Sequence, residues 1–162
     1  MGRIEYVFDQ EKLVIKQTGA INEEFQFWLP RYGYRFNFIN EVSNVNYFGF
    51  GPNECYEDKR EYATLDWYNY TVDDCKNSYE KPQECNSRVD TKWLNISVDG
   101  IAFNVSSSSF SFNVTNYDIN ENWKVSHKKD LIKSNGSFVH LDYRMSGVGS
   151  HSCGGDDPQS RF

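Results

Sequence analysis

No stretch of this 162-residue chain approaches the roughly 20 consecutive apolar residues that cross a bilayer as a helix. Its opening Met1-Gly2-Arg3-Ile4-Glu5-Tyr6 has neither a signal-peptide core nor a myristoylation pattern, because position 6 is Tyr. The expectation is a cytoplasmic chain with no membrane partner. Basic residues are outnumbered, 17 Lys and Arg against 23 Asp and Glu for a net charge of -6. The one basic cluster, His127-Lys128-Lys129, is short and is followed by Asp130. A phosphate-binding surface needs clustered cations, so no nucleic-acid partner is expected. Cysteine is sparse: Cys55, Cys75, Cys85 and Cys153 show no C-x-x-C spacing and no paired histidines, which excludes a structural zinc site. Several disulfide pairings remain possible on sequence, with thiols the default in a reducing compartment. The phosphate-binding loop, the dinucleotide fingerprint, the serine-hydrolase elbow and the H-E-x-x-H metalloprotease pattern are all missing.

What the chain has is alternation. Tyr34, Phe36 and Phe38 alternate with polar residues, as do Leu94, Ile96 and Val98, then Phe110, Phe112 and Val114, then Val139, Leu141 and Tyr143. Such segments are half-buried strands. Aromatic residues make up 17% of the chain, enough to build a core although total hydrophobic content is only 38%. Asp99-Gly100 between two apolar runs predicts a hairpin, and Asn135-Gly136 a second turn. Asp118 with Glu121 has the form of a capping box and predicts one short helix over 119–127, with a weaker helical turn over 127–131. The run Ser106-Ser107-Ser108-Ser109 reads as a loop. With no linker or repeat, residues 1–162 read as a single domain, an antiparallel all-β sandwich. Sequons at Asn69, Asn95, Asn104, Asn113 and Asn135 read as by-products of an Asn-rich composition.

Three ordered segments carry more information: Gly51-Pro52-Asn53-Glu54-Cys55-Tyr56-Glu57-Asp58-Lys59, then Lys81-Pro82-Gln83-Glu84-Cys85-Asn86-Ser87-Arg88, then Ser146-Gly147-Val148-Gly149-Ser150-His151-Ser152-Cys153-Gly154. With Leu29-Pro30-Arg31-Tyr32-Gly33 and residues 117–127 they resemble, in order and spacing, the C-terminal domain of lacZ-type β-galactosidases of glycoside hydrolase family 2. Cys55 and Cys85 stand where that family carries Asn. The resemblance implies an antiparallel supersandwich similar to the galactose mutarotase fold. It also implies a piece of an enzyme, a partial domain or a small subunit, whose partner is the remainder or large subunit of a β-galactosidase.

The family places its two catalytic glutamates in a barrel that no part of this chain resembles. The expectation is therefore a non-catalytic segment that packs on the barrel and shapes the entrance for terminal β-D-galactosides such as lactose. Retaining glycosidases need two carboxyl groups about 5 Å apart. Glu54, Asp58, Glu84 and Asp142 can be tested against that, although Glu84 with Arg88 and Asp58 with Arg60 read more simply as ion pairs. By resemblance His151, Ser152 and Cys153 lie next to substrate, on a glycine-rich segment. Magnesium and sodium are implied for the assembled enzyme, with ligands in the barrel and no metal in this chain. His127 reads as a helix-end residue and His140 as solvated or paired across the sheet. The alternative is a carbohydrate-binding module using Glu54, Tyr56, Glu84 and Arg88. An aldose mutarotase would need a facing acid and base that the sequence does not display. If the sheet ends on a bare edge, a homo-oligomer through edge pairing becomes plausible.

Overall fold

The computed structural model describes residues 2–10, 12–20, 29–74 and 79–146. They form strands β1 (Gly2–Phe8), β2 (Leu13–Gly19), β3 (Arg31–Phe38), β4 (Val42–Gly51), β5 (Thr64–Tyr70), β6 (Arg88–Val98), β7 (Ile101–Thr115) and β8 (Ser137–Met145), with one helix α1 (Ile119–Asn122). Strands β1 and β2 pair as a hairpin, and the other six form one sheet in the order β3-β8-β7-β6-β4-β5. Every strand pairing is antiparallel. The architecture is all-β and antiparallel and fits the sandwich class.

The four alternating segments become β3, β6, β7 and β8, and register shows how they build the core. Val45 lies opposite Ile96 and Tyr47 opposite Leu94, while Phe112 lies opposite Leu141 and Val114 opposite Val139. Because alternate strand residues share a face, these side chains converge on one side of the sheet. There Val45, Tyr47, Leu94, Phe112, Val114 and Val139 are buried, with Phe36, Phe38, Tyr68 and Tyr70 packed around them. Each fully buried large side chain contributes about 1.5–3 kcal/mol.

The Asp99-Gly100 hairpin forms as predicted. Val98 pairs with Ile101, and both turn residues take positive φ, 52° and 77°. Such a turn matches the right-handed twist of its strands.

Two local expectations are corrected. The helix expected over 119–127 closes after Asn122, with Trp123 as its C-cap. Asp118 accepts from the Asn120 N–H as a cap should, but Glu121 takes Lys124 at 2.7 Å instead of reaching back, so only half the capping box forms. The weaker turn is a 3-10 turn, Lys128–Asp130. The serine run is not a loop but the middle of β7. Ser106 pairs with Trp93, Ser109 donates to Asp90 Oδ1 at 2.7 Å, and Lys92 donates to the Ser108 carbonyl. Flanking strands impose extension where the serines' own packing would not.

Candidate functional site

The motif segments meet around Arg31. Its Nη2 donates to Glu84 Oε1 at 3.3 Å, its Nη1 donates to His140 Nδ1 at 3.2 Å, and its Nε lies 3.1 Å from Asp142 Oδ2. Glu84 Oε1 also accepts from Ser87 Oγ at 2.6 Å and from Asn113 Nδ2 at 3.2 Å. One carboxylate thus gathers β3, β7 and the 81–88 segment. An arginine stays charged, so the His140 nitrogen it addresses must be the unprotonated one. Burial and the nearby guanidinium groups hold His140 down, to about 4. Burial pushes Asp142 up to about 6 in spite of Arg31, because a carboxylate with little access to water favours its neutral form.

The cluster sits at the root of the segment that begins at Ser146. The Ser146 N–H donates to the Pro30 carbonyl at 3.0 Å, and its hydroxyl donates to the Leu29 carbonyl at 2.7 Å. Arg31 itself lies opposite Met145. The L-P-R-x-G block therefore grips the last described residue before the glycine-rich stretch. Its glycine has a physical reason. A Cβ at Gly33 would fall on the Leu141 carbonyl oxygen and the Asp142 Cα, at the point where the register of β3 against β8 shifts.

A second network lies alongside. Glu54 Oε2 accepts the Asn86 N–H at 2.8 Å, and Oε1 accepts from the Tyr79 hydroxyl. Lys59 Nζ stands 3.6 Å from the same oxygen. Arg88 is buried at 4% exposure. It donates to Tyr47 Oη at 3.1 Å, to the Asn86 carbonyl at 2.7 Å and to the Pro52 carbonyl at 3.2 Å. Its guanidinium also lies 4.3 Å from the Tyr70 ring centroid, a distance at which the ring face attracts a cation. Tyr56 is buried, and its phenol is pushed well up, first by burial and then by Glu84 and Glu54.

The sequence-derived candidates thus fall into three groups. Glu54, Glu84 and Arg88 are bound into internal networks, with Tyr56 buried among them. His151, Ser152 and Cys153 lie outside the described residues. Asp142 and His140 enter the site through the fold. Glu84 pairs with Arg31 rather than Arg88, and Arg60 meets Glu57 and Asp90 rather than Asp58. Of the two readings of His140, solvated or paired across the sheet, the second holds: it is buried and accepts from Arg31 on the neighbouring β3. His127 lies beyond the shortened helix, 3.6 Å from Asp130. Cys55 is a buried free thiol and so is not bridged to Cys85. Sequence reasoning missed Arg31, whose charge inside a strand start was the available signal, and Asn113, whose place among apolar residues marks a buried polar group.

Comparison with known proteins decides the family: the model described as "Beta galactosidase small chain" matches residues 2–162. The chain belongs to the β-galactosidase small-chain family. Among relatives, a β-galactosidase of Actinobacillus pleuropneumoniae is 38% identical over 151 residues, 93% of this chain and 15% of that protein. One from Staphylococcus xylosus is 32% identical over 149 residues, 86% of this chain and 15% of that protein. One from Kluyveromyces lactis is 30% identical over 154 residues, 93% of this chain and 15% of that protein. The chain spans about 15% of the length of these relatives.

Within this small-chain region, the described residues present no group of three or more His, Cys, Asp or Glu side chains placed to hold a metal ion. No described helix is long and apolar enough to cross a membrane.

Proposed function

We propose that this small-chain segment completes a β-galactosidase by holding the stretch after Ser146 at the entrance of an active site whose catalytic glutamates lie in the remainder of the enzyme. The assembled enzyme would cleave terminal β-D-galactosides such as lactose by double displacement. Its magnesium and sodium would be held outside this segment. The observation that carries the reading is the anchoring of Ser146 to Leu29 and Pro30 beside the Arg31 cluster. Two separated motif segments make that anchor and a third braces Arg31 through Glu84, and positioning groups act best from rigid elements. His151, Ser152 and Cys153 follow after four intervening residues and would lie next to the substrate, with Cys153 on the aglycone side of the pocket.

The test is hydrolysis of a chromogenic β-galactoside by the purified chain, alone and mixed with a β-galactosidase fragment lacking this region. Activity in the mixture alone supports the reading. Activity of the chain alone, lost on Glu54→Gln or Glu84→Gln, would place catalytic carboxylates inside it and overturn the proposal.

A further inference from the structure

The face of the large sheet opposite the apolar core carries two parallel rows of side chains that the Arg31 cluster does not use. Phe48 on β4 lies opposite Trp67 on β5 and Trp93 on β6. Two residues back along β4, Asn46 lies opposite Asn69 and Asn95, and Asn95 lies opposite Asn104 on β7. Residues i and i+2 of a strand share a face, so a row of rings and a row of amides run side by side across the strands.

Both rows are organised. The two indoles flank Phe48 yet lie only 5.3 Å apart between centroids, at 65° to one another, so they lean toward each other across it. Trp67, whose ring is 5.0 Å from Phe48, is 63% exposed. It offers a ring surface to solvent. The amides form a directed ladder. Asn69 Nδ2 donates to Asn46 Oδ1 at 2.5 Å and to Asn44 Oδ1 at 2.8 Å, Asn46 Nδ2 to Asn95 Oδ1 at 3.3 Å, and Asn95 Nδ2 to Asn104 Oδ1 at 2.9 Å. A primary amide has two donors and two acceptor lone pairs. The ladder spends both donors of Asn69 and fixes each amide's orientation, leaving the Asn69 oxygen and one Asn46 N–H for a ligand.

A ligand for this surface must combine an apolar flat side with several hydroxyl-like groups at its edge. It must also be uncharged, because neither row contains a Lys, Arg, Asp or Glu. Nucleic acid meets the stacking requirement but brings phosphates to a chain of net charge -6. We propose that these rows form a platform for neutral oligosaccharides. A pyranose ring packs its C–H face on Trp67, and its hydroxyls donate to Asn69 Oδ1 and accept from Asn46 Nδ2. The platform rests on residues independent of those proposed to serve the active site, and it would hold galactoside chains near the enzyme rather than cleave them.

The experiment is an amide and indole NMR titration of the 162-residue chain with a β-1,4-linked galactose tetramer at millimolar concentrations. The expected result is saturable shifts of the Trp67 indole N–H and the Asn46 and Asn69 side-chain amides. Trp67→Ala and Asn69→Ala should each weaken binding by about tenfold. Trp123→Ala should change nothing, although Trp123 is exposed to a similar degree, 65%. A galacturonate tetramer should bind more weakly than the neutral one, and equal affinity would overturn the assignment to neutral ligands. Absence of saturable shifts, or binding unchanged in Trp67→Ala, would overturn the platform altogether. So would a drop in sedimentation coefficient on Trp67→Ala, which would make this face a self-association surface. Trp67→Phe, keeping a ring, separates loss of stacking from loss of fold and should retain most of the binding.

Discussion

Arg31 Nε stands 3.1 Å from Asp142 Oδ2, yet its N–H is not aimed at that oxygen, and the contact is one of charge rather than a hydrogen bond. The same guanidinium donates to the ring of His140. A single cation therefore faces a carboxyl pushed up to about 6 and an imidazole held down to about 4. The two shifts have opposite consequences for stability.

Between about pH 4 and pH 6 the folded Asp142 binds a proton more readily than the unfolded chain does. Its contribution favours folding at the acid end and is lost as pH rises. Folded His140 binds a proton less readily than unfolded, so its contribution is present above the ordinary histidine value, 6.5, and is lost as pH falls toward about 4. The two slopes oppose one another. Asp142→Asn should leave stability rising with pH across that window, and His140→Gln should leave it falling, each by a few kcal/mol at most. Urea midpoints at the two ends of the window read the sign, and slopes of the same sign in both variants would contradict the assignment.

Gly33→Ala should destabilise the chain by about 1–3 kcal/mol, since the new methyl meets backbone that cannot step aside. Gly100→Ala meets nothing within 4 Å and suffers only from its φ of 77°, about 1 kcal/mol. Thermal or urea unfolding of the pair gives the order, and a costlier Gly100→Ala would mean that β3 can slide.

Removing the buried guanidinium by Arg88→Ala should cost about 3–5 kcal/mol, because the Pro52 and Asn86 carbonyls lose their donor inside the fold. Arg88→Lys should recover only part, since an ammonium cannot fork to both carbonyls while resting on the Tyr70 face. Equilibrium unfolding of the two variants checks the ranking.

In the reconstituted enzyme, Ser146→Ala removes the bond to the Leu29 carbonyl. The chain should lose about 1 kcal/mol of stability, and KM for a galactoside should rise more than kcat falls. A Trp123→Ala control should leave both constants unchanged. Equal loss of kcat with KM constant would argue against a role for this anchor in the substrate entrance.

The fold was legible wherever local chemistry and tertiary demand agree. The Asp99-Gly100 turn is determined by two residues and their backbone preferences, and β6 shows its period in every second residue, whereas on β8 the polar His140 and Asp142 are buried and Tyr143 is exposed. Residues 106–109 were illegible because serine has no face to reveal, and neighbouring strands decide the conformation. The five sequons were read as compositional, and four now have a geometric origin. Asn95 with Ser97, and Asn104 with Ser106, are successive positions on one strand face, so a polar face generates the N-x-S/T pattern by itself. Asn113 with Thr115 repeats the spacing on β7 although both are buried. Asn69 with Thr71 continues it past the end of β5. The Arg31 cluster was legible only as motifs. Nothing in the spacing of Arg31, Glu84 and Asp142 announces that they touch, because the pairing of β3 with β8 joins residues more than a hundred positions apart.

That separation has a consequence for the order in which the sheet assembles. The β6 and β7 strands close across a two-residue turn, at little entropic cost, whereas β3 can add only after the chain has closed a loop from Arg31 to Met145. Docking of β3 is the late event, and hydrogen exchange should find its amides less protected than those of β6. The grip of Leu29 and Pro30 on Ser146 then exists only once β3 has docked on β8, so this contact is among the last that the folding chain makes and among the first that it loses.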